Sequence, residues 1–71
     1  MELTTAEKIL LILKRKGMTQ AVLADKLGKS QSNLTQQLSR DNFTESDLRA
    51  IAAALDCDLS IIFTTLDGES V

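Results

Sequence analysis

Apolar side chains recur at three- and four-residue intervals along most of this chain, and at intervals of two near its end. The longer interval predicts helices and the shorter one a strand. Ala6, Ile9, Leu10 and Leu13 form the inner stripe of a helix over Thr5–Lys16, opened by Thr4 and Glu7 in the Thr-x-x-Glu spacing of a capping box and closed by Gly17. Lys14, Arg15 and Lys16 fall in its last turn, where cations complement the helix dipole. Thr19 is the N-cap of a second helix that turns Val22, Leu23 and Leu27 inward and stops at Gly28, with Ala24 small enough to let a following helix cross closely. Ser30 caps a third helix, about residues 31–39, whose inward pair is Leu34 and Leu38. A turn at Asp41-Asn42-Phe43 leads to Thr44, with Asp47 three residues later, and to a fourth helix with Leu48, Ile51, Ala52 and Leu55 inside; Phe43 is expected to plug the core beside them.

From Leu59 onward, Leu59, Ile61 and Phe63 alternate with Ser60, Ile62 and Thr64, and the β-branched content predicts a strand at about 58–66. No second strand candidate exists in the chain, so its open backbone groups are expected to pair with the same strand of a second copy. The dimerisation residues are then Leu59, Ile61, Ile62 and Phe63. A fifth helix over Asp58–Leu66 is the competing reading of the same residues. The fold class is therefore mainly α: one domain over 1–66, made of four helices and a C-terminal strand that pairs across a dimer, followed by a tail, 67–71, expected to fray.

Composition narrows the function. A 71-residue chain buries a small core, so self-association helps it fold. The longest apolar run, Ile9–Leu13, is too short to span a bilayer, and a soluble, cytoplasmic protein is expected. Cys57 stands alone and there is no His, which leaves no internal disulfide and no metal cluster; the cysteine is expected to serve as a small apolar residue. With no His, no Gly-rich phosphate loop and no carboxylate pair in an evident pocket, nothing equips the chain for acid/base or nucleophilic chemistry. No catalytic residue, metal or cofactor is assigned.

The net charge of −2 conceals a division. Lys14, Arg15, Lys16, Lys26, Lys29 and Arg40 face one acid, Asp25, in the stretch from Lys14 to Arg40; from Asp41 onward seven acids face only Arg49. Such segregation suits a molecule with one side turned toward phosphates and one turned away. Within the basic stretch, Gln31, Ser32, Asn33, Thr35, Gln36 and Gln37 occupy the outward positions of the third helix, and no charged residue lies between Lys29 and Arg40. An ordinary solvated helix would carry Glu and Lys pairs there. Planar amides match the donor–acceptor edge of adenine in the major groove, so a short helix, a tight turn and an amide-rich helix together point to a helix-turn-helix that reads DNA.

Met18-Thr19-Gln20, Leu23-Ala24, Leu27-Gly28 and Ser30-Gln31-Ser32 followed by Leu34 resemble the helix-turn-helix of the phage Cro/C1-type repressor family, also called the XRE family. Leu48–Leu55 and the following Asp56-Cys57-Asp58-Leu59 resemble its fourth helix and exit, so the likeness covers nearly the whole chain. The resemblance implies a small helical domain acting as a dimeric transcriptional repressor on a palindromic operator. It implies that Gln31, Ser32 and Gln36 contact base edges and that Gln20 holds a backbone phosphate. Lys29 and Asn33 would be phosphate contacts or auxiliary readers, a group to which Thr19, Gln37 and Arg40 are added. Two features depart from the family pattern: Leu38-Ser39-Arg40-Asp41-Asn42 replaces a common Glu-x-Gly turn, and the strand-like end replaces a fifth helix found in many members. The expected partners are double-stranded DNA and a second copy of the chain. A different reading keeps the fold but makes it a protein-interaction or antitoxin-like module whose DNA binding is secondary; the third helix carries none of the aromatic, Met or Arg anchors such surfaces favour.

Overall fold

The computed structural model describes residues 2–71, and its four helices begin at the N-caps anticipated from the sequence. They are α1 (Thr5–Lys16), α2 (Gln20–Leu27), α3 (Gln31–Arg40) and α4 (Glu45–Ala54). α1 and α2 end at the anticipated glycines, whereas α3 runs one residue further, to Arg40, and is closed by Asp41, and α4 stops before Leu55. The Thr4 hydroxyl accepts the Glu7 amide at 3.1 Å while the Glu7 carboxylate accepts the Thr4 amide at 2.9 Å, which satisfies two of the N–H groups a helix start leaves open. Thr19 and Ser30 cap α2 and α3 through the amides of Val22 and Asn33, and Thr44 forms a second capping box with Asp47. α2 ends at Gly28, whose φ of 71° turns the chain sharply enough for α3 to begin after only Gly28, Lys29 and Ser30.

α2 packs on both α3 and α4, and α3 packs on α1. The shared core is Ala6, Ile9, Leu13, Leu23, Ala24, Leu34, Leu38, Ile51 and Leu55, with Leu23, Leu34 and Leu55 its largest fully buried side chains. Phe43 and Cys57 pack against this cluster half-buried. Two residues expected inside are not: Leu10 is 39% and Val22 45% exposed. The core of so small a domain is narrower than the apolar stripe of its helices, and the flank of each stripe remains at the surface.

The C-terminal segment departs from expectation. Among the described residues there is no fifth helix and no regular strand at 58–66; a single antiparallel bridge joins Thr64 to Ser70. The tail 67–71, expected to fray, folds back onto residues 63–65. Phe63 and Val71 exchange two backbone hydrogen bonds of 2.9 Å, and the Thr65 amide donates to the Glu69 carbonyl at 2.7 Å. The cause is the turn between them. The Gly68 amide donates to the Thr65 carbonyl at 3.0 Å, and Gly68 takes a φ of 93°, so Leu66-Asp67-Gly68 is a three-residue hairpin loop with glycine at the left-handed position. The Thr65 hydroxyl reinforces it by donating to the Asp67 carboxylate. That bond is the first of the influences holding the Asp67 carboxyl below its usual range. Phe63 and Thr65 thus pair with the tail of their own chain.

Candidate nucleic-acid interface

Among the described residues α3 is the only helix built mainly from amides and hydroxyls, and its two apolar residues, Leu34 and Leu38, are buried. Everything else on it follows from that anchorage. At about 100° per residue, Ser32, Gln36 and Ser39 fall on the face opposite the leucines, spaced i, i+4 and i+7. All three are exposed, as are Gln31, Asn33, Thr35 and Arg40. Asn33, Gln36 and Arg40 line one side of a polar crevice closed by Asn42, Thr44 and Asp47. Ser39 was not among the residues singled out from the sequence, although its spacing from Ser32 and Gln36 marks it.

The flanks of α3 are tied to their neighbours. On one side the Thr35 hydroxyl donates to Gln20 Oε1 at 3.1 Å, linking α3 to the first residue of α2. On the other, Lys29 Nζ donates to Gln37 Oε1 at 2.6 Å and Gln37 Nε2 donates to Asp47 Oδ2 at 3.2 Å. Asp47 also accepts the Thr44 amide at 3.0 Å, and this backbone bond is the largest influence lowering its carboxyl below the usual aspartate range. Partial burial opposes the shift; the Thr44 hydroxyl, the Lys29 charge and the Gln37 amide add to it.

These ties revise the expected outward face. Gln37 is half-buried with both ends of its amide engaged, and Lys29 is half-buried with its ammonium held by Gln37. Neither is presented as an unencumbered contact. Thr19 is exposed, with its hydroxyl oxygen accepting the Val22 amide as an N-cap. The basic stretch is also divided in space: Lys26 borders a concavity with Ala50, Ala53 and Asp56 between α2 and α4, whereas Arg40 lies beside Gln36. Lys14, Arg15 and Lys16 are exposed in the last turn of α1.

The residues expected to mediate dimerisation separate into two groups. Leu59 is half-buried and lines a groove with Ile9, Ile12, Leu48 and Leu55, and Ile61 borders the same groove. Ile61, Ile62 and Phe63 are exposed on the hairpin together with Leu66 and Val71, Phe63 at 72%.

A second end of α3 is fixed by a residue that the sequence reading treated only as part of a turn. Asp41 closes α3 in the left-handed conformation, φ 51° and ψ 43°, and its Oδ1 accepts the Ala6 amide at the start of α1 at 2.8 Å. No described helix is long and apolar enough to cross a membrane.

Against this geometry, the helix-turn-helix family of the Cro/C1 type matches residues 9–62, from the first turns of α1 past the end of α4. No curated protein and no solved structure gives a significant match to the chain. The family is one of DNA-binding transcriptional regulators. A match over most of the chain, laid on four helices whose second and third are joined by a glycine turn, settles the assignment: the chain belongs to the Cro/C1-type helix-turn-helix family.

Proposed function

We propose that this protein is a dimeric repressor that inserts α3 into the major groove of a pseudo-palindromic operator. The observation that carries this reading is the exposed polar face of α3, held between α2 and α4 by hydrogen bonds at both flanks. Gln36 and Ser32 lie at the centre of that face and Gln31 at its N-terminal end, and these three are the base-contacting side chains. Gln20, Asn33 and Arg40 contact phosphates, which fix the register while the amides select the sequence; Thr19 is an auxiliary contact through its hydroxyl proton. Lys29 and Gln37 are assigned to holding α3 in place rather than to direct contact.

Dimerisation is proposed through the C-terminal hairpin. Its apolar residues, Ile61, Ile62, Phe63, Leu66 and Val71, are exposed, and the backbone groups of Ile62 and Thr64 face away from the tail that pairs with Phe63 and Thr65. Two such hairpins joined about a two-fold axis present two copies of α3, which on B-form DNA must lie about 34 Å apart. With modest positive charge per subunit, tight binding requires both subunits and weakens steeply with salt. Repression then follows from occupying a promoter, in the cytoplasm where the DNA lies.

Selection from a random duplex library, with sedimentation mass measured alongside, tests the proposal. An inverted repeat with half-sites one helical turn apart, bound by a dimer, is the expected result. Gln36→Ala lowers affinity for that site by about 1–3 kcal/mol and relaxes base preference at one position. Selection without enrichment of any sequence refutes the reading and favours a protein-interaction module.

A further inference from the structure

We propose that Thr35 is a positioning residue for DNA binding, its hydroxyl orienting the Gln20 amide so that N–H donors face the duplex. The inference rests on α3 being the groove-reading helix, and it gives a role to a side chain on the flank of that helix, outside the base-contacting set. Gln20 is the first residue of α2 and is half-buried; Thr35 is exposed and lies fifteen residues further along. The Thr35 hydroxyl donates to Gln20 Oε1 across 3.1 Å.

A glutamine amide has an accepting oxygen and a donating NH2 group, and its terminal torsion is broad and nearly two-fold, so a free side chain presents either end. A phosphate oxygen only accepts. An amide that turned its oxygen to the backbone of DNA would add repulsion where a contact is needed. In the pairing observed, the Thr35 hydroxyl donates to Oε1, which leaves Nε2 directed away from Thr35. Among the described residues no hydrogen bond occupies Nε2, and no buried polar atom is left unpaired, so this NH2 group is open to solvent. Thr35 thus prepares the contact without making it, and reduces the side-chain freedom lost on binding. The pairing also joins the two helices of the motif at the surface, where the core leucines do not reach.

The test uses the full chain and its variants Thr35→Val, Thr35→Ser, Gln20→Ala and the double variant Gln20→Ala with Thr35→Val. Each is titrated against the duplex enriched by selection and against an unrelated duplex of equal length, over a salt series. Thr35→Val keeps the shape and removes the donor, and is expected to weaken both duplexes alike by about three- to tenfold, with base preference unchanged. The salt dependence stays constant because no charge is lost. Thr35→Ser retains the donor and binds as the parent does. The double variant binds no more weakly than Gln20→Ala alone, because the hydroxyl acts only through that amide.

Four results overturn the proposal: additive losses in the double variant, unchanged binding by Thr35→Val, a loss confined to the enriched duplex with altered base preference, or a parent protein that binds neither duplex. The last also overturns the proposed function. The side-chain amide signals of Gln20 in the free protein separate the two failures: a Gln20 amide ordered in the parent and mobile in Thr35→Val shows that the pairing forms and that DNA reading is what failed.

Discussion

Asp41 joins the end of α3 to the start of α1, and replacing it separates two energies that act at one residue. Its backbone stands at φ 51°, closing α3 through hydrogen bonds donated by the amides of Asp41 and Asn42 to the carbonyls of Leu38 and Gln37. Its carboxylate accepts the Ala6 amide, 35 positions away in sequence, at 2.8 Å. Ala6 is the second residue of α1, so the bond satisfies an N–H that no intrahelical carbonyl can reach, and a negative charge there complements the helix dipole. Losing it costs about 1–2 kcal/mol, the range of an N-cap. An alanine held in the left-handed region adds about 1 kcal/mol, since its Cβ meets the following carbonyl and it lacks the local hydrogen bonding that lets Asp and Asn tolerate this conformation. Asp41→Ala is therefore expected to destabilise by about 2–3 kcal/mol. Asp41→Gly loses only the carboxylate bond and is relieved of the backbone cost, giving about 0–1 kcal/mol. Asp41→Asn keeps an acceptor and a backbone that tolerates the region, giving less than about 1 kcal/mol. Urea unfolding followed by circular dichroism, at several protein concentrations to separate folding from association, reads the series. The reasoning fails if Asp41→Gly is as unstable as Asp41→Ala, which removes the backbone component, or if it exceeds the parent in stability, which removes the carboxylate component.

Leu23→Ala, at a side chain with no exposed surface, is expected to cost about 2–5 kcal/mol and to lower the thermal midpoint by tens of degrees, enough to leave the domain largely unfolded at 37 °C. For Asp47 the sign follows from its lowered pKa: its charged form stabilises the fold above the unfolded value of 3.8, and that contribution fades as pH falls through the lower folded value. Asp47→Asn should therefore be less stable than the parent near neutrality and converge with it below about pH 4 in urea midpoints taken across pH; parallel curves would contradict this. Gly68→Val forces a branched side chain to φ 93° and is expected to open the hairpin, shifting the monomer–dimer balance toward monomer in sedimentation while leaving the helical signal intact. An unchanged balance would move the dimer contact elsewhere.

Helix ends were legible because their signals are local. Thr4 with Glu7, Thr44 with Asp47 and Gly28 after Leu27 each act within one turn, and each does in the structure what its spacing predicts. The hairpin is equally local, and the Asp67-Gly68 pair that makes its turn stands in the sequence; the apolar alternation at Leu59–Phe63 marks its first arm, whereas Glu69–Val71, the arm that pairs with it, is too short to carry a pattern. Leu10 and Val22 show the opposite limit, since periodicity gives the direction of a stripe and not how much of it a domain of this size can cover.

The side chains that hold α3 were not legible, because they depend on which helix crosses which. Gln37 belongs to the outward set by period alone, and only the first turn of α4, which brings Asp47 to that flank, engages its amide, with Lys29 bound to the other end. Asp41 reads as a turn residue until α1 is placed above it. The consequence reaches function. A polar helix face presented without such ties could rotate about Leu34 and Leu38 and blur its register on the bases, whereas Thr35–Gln20 on one flank and Gln37–Asp47 on the other oppose rotation in both directions. The amides expected to discriminate bases and the amide that fixes their position differ by a single place, Gln36 against Gln37, and tertiary packing alone decides which is which.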